Sequence, residues 1–226
     1  MKTLATLSIA FLTLFSSFSY AKDKNSKKSA TPKDTLVIIS TDFGDMTVML
    51  YTATPLHRTN FIKLASEGFY DSLLFHRVIK SFMIQGGDPQ SKNAPAGVML
   101  GNGDIGYTIP AEFVDTIYHK KGALCAARTE NPAKASSGCQ FYIVQGQPIQ
   151  EAQIPMFEAR GRKMSEQQKT VYKTLGGTPF LDGNYTVYGE VINGIEVIDK
   201  IAAVQTAPGD RPVSDVRMKM RIELVY

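Results

Sequence analysis

Phe75-His76-Arg77-Val78-Ile79-Lys80-Ser81-Phe82-Met83-Ile84-Gln85-Gly86-Gly87-Asp88 is the stretch on which the reading of this chain turns. It is mostly apolar, yet it holds an arginine, a glutamine and a glycine pair for which a plain buried strand has no use. In an extended backbone residues two apart face the same way, so Phe75, Arg77 and Ile79 are expected to share one face. A turn at Lys80-Ser81 restarts the pattern and sends Met83 and Gln85 out together near Phe82. Gly86-Gly87 then ends the run with a sharp backbone bend. One cation, one amide and two soft apolar side chains are thereby gathered on a single surface. An arginine beside aromatic and methionine side chains also occurs at ordinary interfaces, and a structural salt bridge is the plain alternative for Arg77.

Working outward, residues 36–40 (LVIIS) and 46–51 (MTVMLY) are β-rich runs joined by Asp42-Phe43-Gly44-Asp45, which reads as a hairpin. From Pro55 the pattern turns helical. Thr59 or Asn60 is a candidate cap, Phe61, Ile62, Leu64 and Ala65 form the apolar stripe, and Gly68 is the stop. Residues 121–128 and 138–145 read as two further strands around a loop of small and polar residues. Residues 146–180 interrupt that rhythm as a helical insertion. Ser165-Glu166-Gln167-Gln168 has capping-box spacing, Gly176-Gly177 ends the helix, and Val171, Tyr172 and Leu175 are expected to face the body. Residues 185–191 resume strand character, Ile195, Val197, Ile198 and Ile201 mark a short helix, and residues 217–224 alternate as a half-buried last strand. With no internal repeat, about eight strands and a few helices predict a mainly β fold: a closed eight-stranded antiparallel barrel capped by two α-helices, with a helical insertion.

The 226 residues carry a formal charge of +4. Lys2 contributes one positive charge, and residues 22–34 (KDKNSKKSATPKD) contribute a net three, so residues 35–226 are formally neutral. A neutral domain lacks the electrostatic footprint of nucleic-acid binding. Residues 22–34 contain no large apolar side chain and read as a disordered Lys-rich tether. Ahead of it, Lys2, an apolar stretch over residues 4–18 and the small residues of Ser19-Tyr20-Ala21 read as a signal peptide over 1–21. The expectation is an exported chain, periplasmic or secreted, with no transmembrane segment after processing. Its folded domain spans 35–226.

Cys125 and Cys139 are too few for a disulfide framework. They read either as buried free thiols or as a bridge between neighbouring strands. Gly101-x-Gly103-x-x-Gly106 matches a dinucleotide fingerprint as a string, but Pro110 stands where the receiving helix should run, so it is read as a surface loop. His57, His76 and His119 have no metal-ligand spacing, and no serine sits in a nucleophile elbow. Asp42-Phe43-Gly44 is a turn, and Asn184-Tyr185-Thr186 is a formal glycosylation acceptor. No cofactor or metal is called for.

Taken together, 75–79 (FHRVI) and 82–88 (FMIQGGD) strongly resemble the signature of the cyclophilin family of peptidyl-prolyl cis–trans isomerases. Residues 137–143 (SGCQFYI) and 181–191 (LDGNYTVYGEV) resemble two further family segments, in the family's order. The resemblance covers residues 35–226, with about 146–180 as the insertion, and implies the capped eight-stranded barrel with a peptide groove outside. By position it implies Arg77 as the catalytic arginine, with Phe82 and Gln85 beside it. It implies a proline pocket of Phe82, Met83, Gln140, Tyr142 and Leu181, with Gln85 holding the substrate backbone, and Ala127 and Arg128 along the groove. Phe180 stands where many members have Trp, Tyr185 where many have His, and Arg128-Thr129 where many have Asn-Ala. The chain has no Trp, so the indole donor used by cyclosporin-type inhibitors is missing.

The implied activity is rotation about X–Pro bonds in proline-containing polypeptides, assisting the folding of exported chains by a monomer without cofactor. A peptide-binding chaperone or scaffold that uses the same groove, without catalysis, is the alternative. It differs by being indifferent to Arg77 and dependent on the insertion.

Overall fold

The computed structural model describes residues 34–160 and 163–225, so the signal-peptide reading and the tether up to residue 33 lie outside the described residues. The remaining tether residue, Asp34, pairs with Val225. The described chain runs β1 (Asp34–Thr41), β2 (Gly44–Leu50), α1 (Pro55–Ser66), β3 (Phe75–Ile79), β4 (Met83–Gly86), β5 (Thr108–Ile109), β6 (Ala123–Ala126) and β7 (Ser136–Ser137). It continues through β8 (Phe141–Val144), α2 (Ile154–Arg160), α3 (Glu166–Thr174), β9 (Val187–Asn193), α4 (Ile195–Ala202) and β10 (Lys219–Val225). Eight strands form one antiparallel sheet in the order β10-β1-β2-β9-β6-β8-β4-β3, and β5 pairs separately with β7.

The expected closed barrel is corrected to a half-barrel. Among the described residues no ladder joins the two edge strands β3 and β10. They are stitched where the chain enters them, by the bridge Leu74↔Arg217 and three bonds of 2.9 Å each, Ser72 N–H to Met218 O, Phe75 N–H to Val216 O and Met218 N–H to Leu73 O. The reason is local. The register of β3 shifts between Phe75 and Arg77, and the outer edge of β3 is occupied by a loop, with Val78 N–H donating to Asp210 O at 2.8 Å. A bulge and a loop on the same edge leave no room for a continuous ladder.

The curved sheet has two apolar faces. The larger core gathers Val37, Ile39, Val48, Phe75, Ile84 and Phe141 with Phe61 and Leu64 of α1 and Val197, Ile198 and Ile201 of α4. Phe61 meets Phe141 edge-on at 5.6 Å and Tyr188 at 5.4 Å. The opposite face carries a second cluster, Met83, Ala123, Cys125, Ala127, Tyr142, Val144 and Val187. β6 and β8 are buried on both faces, which is why their sequences read as unbroken apolar runs.

The first helix begins earlier than its stripe suggested. Pro55 opens it with the φ a first turn needs, and Thr54 makes no side-chain cap bond. The carboxylate of Glu112 does that work from across the fold, accepting from the N–H of Leu56 and of His57 at 3.0 Å each. Asn60 lies inside the helix, where its amide donates to Gly138 O at 2.7 Å. In the segment between β8 and β9 the capping box forms as read, with Ser165 Oγ accepting from Gln168 N–H at 3.2 Å and the Gln168 side chain accepting from Ser165 N–H at 2.8 Å. Of its expected inward face Tyr172 is fully buried, but Leu175 is 40% exposed because the helix has ended before it. Both cysteines are free and buried.

Candidate active site

The site is built from the hairpin β3–β4. Lys80-Ser81 turns it, with Ser81 in the left-handed region at φ +64°. The bulge at His76 overturns one expectation. Phe75 points into the main core, whereas Arg77 and Ile79 face the other way. One extra residue breaks the two-residue alternation, so the chain keeps Phe75 buried and still presents Arg77 outward.

Across the hairpin Arg77 is in register with Gln85, and Gln85 in turn with Tyr142 of β8. The Arg77 guanidinium is held lightly. Its Nε donates to Asp210 Oδ2 at 3.3 Å and its Nη1 to Gln85 Oε1 at 3.4 Å, with the side chain 42% exposed. Among the described residues Nη2 has no hydrogen-bond partner. Gln85 Nε2 donates to Gln140 Oε1 at 3.1 Å, and Gln140 Nε2 donates to Gly101 O and Gly103 O at 2.9 and 2.7 Å. A single file of polar groups therefore runs from Asp210 through Arg77, Gln85 and Gln140 to the loop at residues 101–103.

Beside this file lies a cavity of about 300 Å³. Arg77, Phe82, Met83, Gln85, Ala127, Arg128, Tyr142, Leu181 and Tyr185, all singled out from sequence, line it. Gln140 and Phe180 do not. Gln140 is buried beneath the loop and lines a neighbouring cavity of about 470 Å³. Phe180 is 44% exposed and packs at a tilt against Phe82, ring centres 5.8 Å apart, and does not line the cavity. Phe82 is fixed from behind, its carbonyl accepting from the N–H of Gln145 and of Gly146 at 3.0 Å each. The Arg128 guanidinium lies 4.6 Å over the Tyr185 ring, which meets Tyr142 edge-on at 6.0 Å. The Tyr142 hydroxyl points away from the cavity, to His119 Nε2 at 3.0 Å, while His119 Nδ1 sits 2.7 Å from Asp182. Burial pushes the Tyr142 phenol well above its ordinary range, so it stays neutral.

Sequence reasoning missed His76, Leu100, Gly101 and Asn102 in the wall of this cavity, and Asp210 behind Arg77. The Gly-x-Gly string was a signal for the loop. Asp88, fully buried, accepts from Gly101 N–H at 2.5 Å and Gly103 N–H at 3.4 Å. A β-carbon on Gly103 would fall 2.0 Å from the Asp88 carboxylate, so the loop can close over Asp88 only as glycine. Asp210, 133 residues from Arg77, left no sequence signal.

His57 and His119 are pinned on both nitrogens, by Glu112 and Ser136 and by Asp182 and Tyr142. His76 is 2% exposed, and among the described residues neither ring nitrogen has a hydrogen-bond partner. Burial pulls its pKa down to about 4, against the opposing pull of Asp88. The unfolded chain therefore binds a proton near pH 6.5 that the folded chain refuses until about pH 4. Stability falls as pH drops through that window, by roughly 3 kcal/mol in all. His76→Gln should flatten this slope in urea midpoints measured from pH 7 to pH 4. Equal slopes in the two proteins would refute the assignment. Among the described residues no three His, Cys, Asp or Glu side chains cluster as metal ligands do.

The fold and this site define a cyclophilin. The family model described as cyclophilin type peptidyl-prolyl cis-trans isomerase/CLD matches residues 36–222. The chain belongs to that family and is a peptidyl-prolyl cis-trans isomerase. It is 39% identical over 183 residues to a bifunctional phosphatase/peptidyl-prolyl cis-trans isomerase of Streptococcus pyogenes serotype M6. That match covers 80% of this chain but only 37% of the relative. It is 35% identical over 181 residues to a peptidyl-prolyl cis-trans isomerase of Staphylococcus aureus, covering 80% of this chain and 87% of that one. A crystal structure of a Cryptosporidium parvum cyclophilin superposes with a TM-score of 0.61 at 23% identity, covering 84% of this chain and 98% of the other. A second, solved in the presence of the dipeptide Ala-Pro, gives 0.60 at the same identity over 84% and 99%. At that identity the likeness speaks for the fold.

Proposed function

We propose that this chain accelerates rotation about X–Pro bonds in exported polypeptides and so assists their folding outside the cytoplasm, acting as a monomer. The observation that carries the mechanism is the lightly held Arg77 guanidinium in the wall of a cavity that Phe82, Met83, Tyr142 and Leu181 also line, with Gln85 in register beside it. The X–Pro bond resists rotation, with a barrier of about 20 kcal/mol, because its nitrogen shares its lone pair with the carbonyl. Twisting localises that pair on nitrogen. A guanidinium N–H then donates to it, an interaction present only in the transition state. Met83, Phe82, Leu181 and Tyr142 hold the proline ring while the other side of the bond turns, and Gln85 steadies the backbone. Every step uses side chains alone.

Export rests on the sequence of residues 1–21 and on the tether that follows. Among the described residues no helix is long and apolar enough to cross a membrane. The reading is tested by following cis–trans exchange of an Ala-Pro-Phe-type peptide by NMR, with cell fractionation beside it. Acceleration of exchange together with a processed chain starting near Lys22 outside the cytoplasm supports it. No acceleration would remove the catalytic role, and an unprocessed cytoplasmic chain would remove the export.

A further inference from the structure

We propose that a second groove, next to the prolyl cavity, docks a large apolar side chain of the same polypeptide substrate. This inference rests on the isomerase reading of the site. The groove encloses about 330 Å³ between residues 96–100 and 207–213. Its rim is apolar and open: Met99 is 78% exposed, Val213 56% and Val98 45%. Monomeric surfaces seldom leave such side chains clustered around a concavity without use.

The one charged side chain in the wall is turned inward. Arg211 is 5% exposed, its Nη1 donates to Pro95 O at 3.0 Å and Val98 O at 2.6 Å, and its Nη2 to Asp215 at 2.9 Å. It ties the two walls together and leaves no cation facing the groove. The groove is thus built, and built for an uncharged guest.

Continuity with the prolyl cavity names that guest. Leu100 lines both cavities. Asp210, which holds Arg77, is the chain neighbour of Gly209 and Arg211, both in the other wall, without lining the groove itself. An extended polypeptide with its proline in the first cavity passes Leu100, and alternate side chains then face the groove. Unfolded chains expose such Leu, Phe and Met side chains several residues from a proline, where a short prolyl peptide has no residues at all. A second copy of this chain on the same surface would sit on Leu100 and obstruct the prolyl cavity.

The test compares kcat/KM for three twelve-residue peptides centred on Ala-Ala-Pro-Phe. One has only Ser and Gly in its flanks, one carries Leu-Phe in the amino-terminal flank, and one carries it in the carboxy-terminal flank. Wild type should favour one Leu-Phe peptide over the Ser/Gly peptide by about tenfold, equivalent to about 1.4 kcal/mol. Met99→Asp/Val213→Asp should abolish that preference while turnover of the bare tetrapeptide is unchanged. No preference in wild type, a preference that survives in the double variant, or a wild-type dimer that the double variant dissolves would each overturn the proposal. Failure of the isomerase reading is separate: the tetrapeptide itself would not turn over. Fluorescence titration of the three labelled peptides would still report on the groove.

Discussion

Arg77→Ala is expected to lower kcat/KM for an Ala-Pro-Phe-type peptide by two to three orders of magnitude, the range typical of removing one preorganised transition-state donor. The loss should appear in kcat, because the planar X–Pro ground state offers no localised nitrogen lone pair for the guanidinium to meet. Folding should be nearly untouched. The side chain is 42% exposed and its contacts to Asp210 and Gln85 are long, 3.3 and 3.4 Å. An exposed ion pair of this kind contributes little, about 0–1 kcal/mol. Arg77→Lys keeps the charge but loses the fork of N–H donors, so it should fall between wild type and the alanine variant. Turnover by the alanine variant within about threefold of wild type would show that the donor is not Arg77.

Asp88→Ala should destabilise the protein by about 4 kcal/mol, because its buried carboxylate accepts from three backbone N–H groups. These are Gln90 at 2.7 Å, Gly101 at 2.5 Å and Gly103 at 3.4 Å. Removing it leaves those donors without an acceptor and releases the loop that carries Leu100, Gly101 and Asn102 into the cavity wall. In a domain of this size the melting temperature should drop by roughly 10 °C. Turnover should fall too, since Gln140 and hence Gln85 are tied to the same loop through Gly101 O and Gly103 O. Asp88→Asn keeps one acceptor oxygen and should lie between. A melting temperature within about 2 °C of wild type would mean the loop is held by something else.

The two variants differ in how readable their residues were. Arg77 stood out because an arginine amid Phe75, Ile79, Phe82 and Met83 conflicts with a purely structural strand. Gln85, Tyr142 and Leu181 followed from the ordered segments that resemble the family, and nine of the eleven residues singled out line one cavity. Asp88 was visible only as the end of a glycine-rich run. Its three backbone partners come from two later loop segments, a relation that no local pattern encodes.

The sequence by itself determined the strands, because alternation and apolar runs are properties of consecutive residues. It also determined the capping box at Ser165, the turn at Lys80-Ser81 and the helix stop at Gly68, which depend on a few neighbours. Only the tertiary structure decided the rest. The bulge at His76 turns Phe75 and Arg77 to opposite faces, and a one-residue register shift depends on what packs on each side. Because that bulge and the Asp210 loop occupy the edge of β3, the sheet stops at a half-barrel. The same loop, 133 residues downstream of Arg77, sets the direction of its guanidinium. Long-range hydrogen bonds are chosen by the packed fold, and the chain records them nowhere in one place.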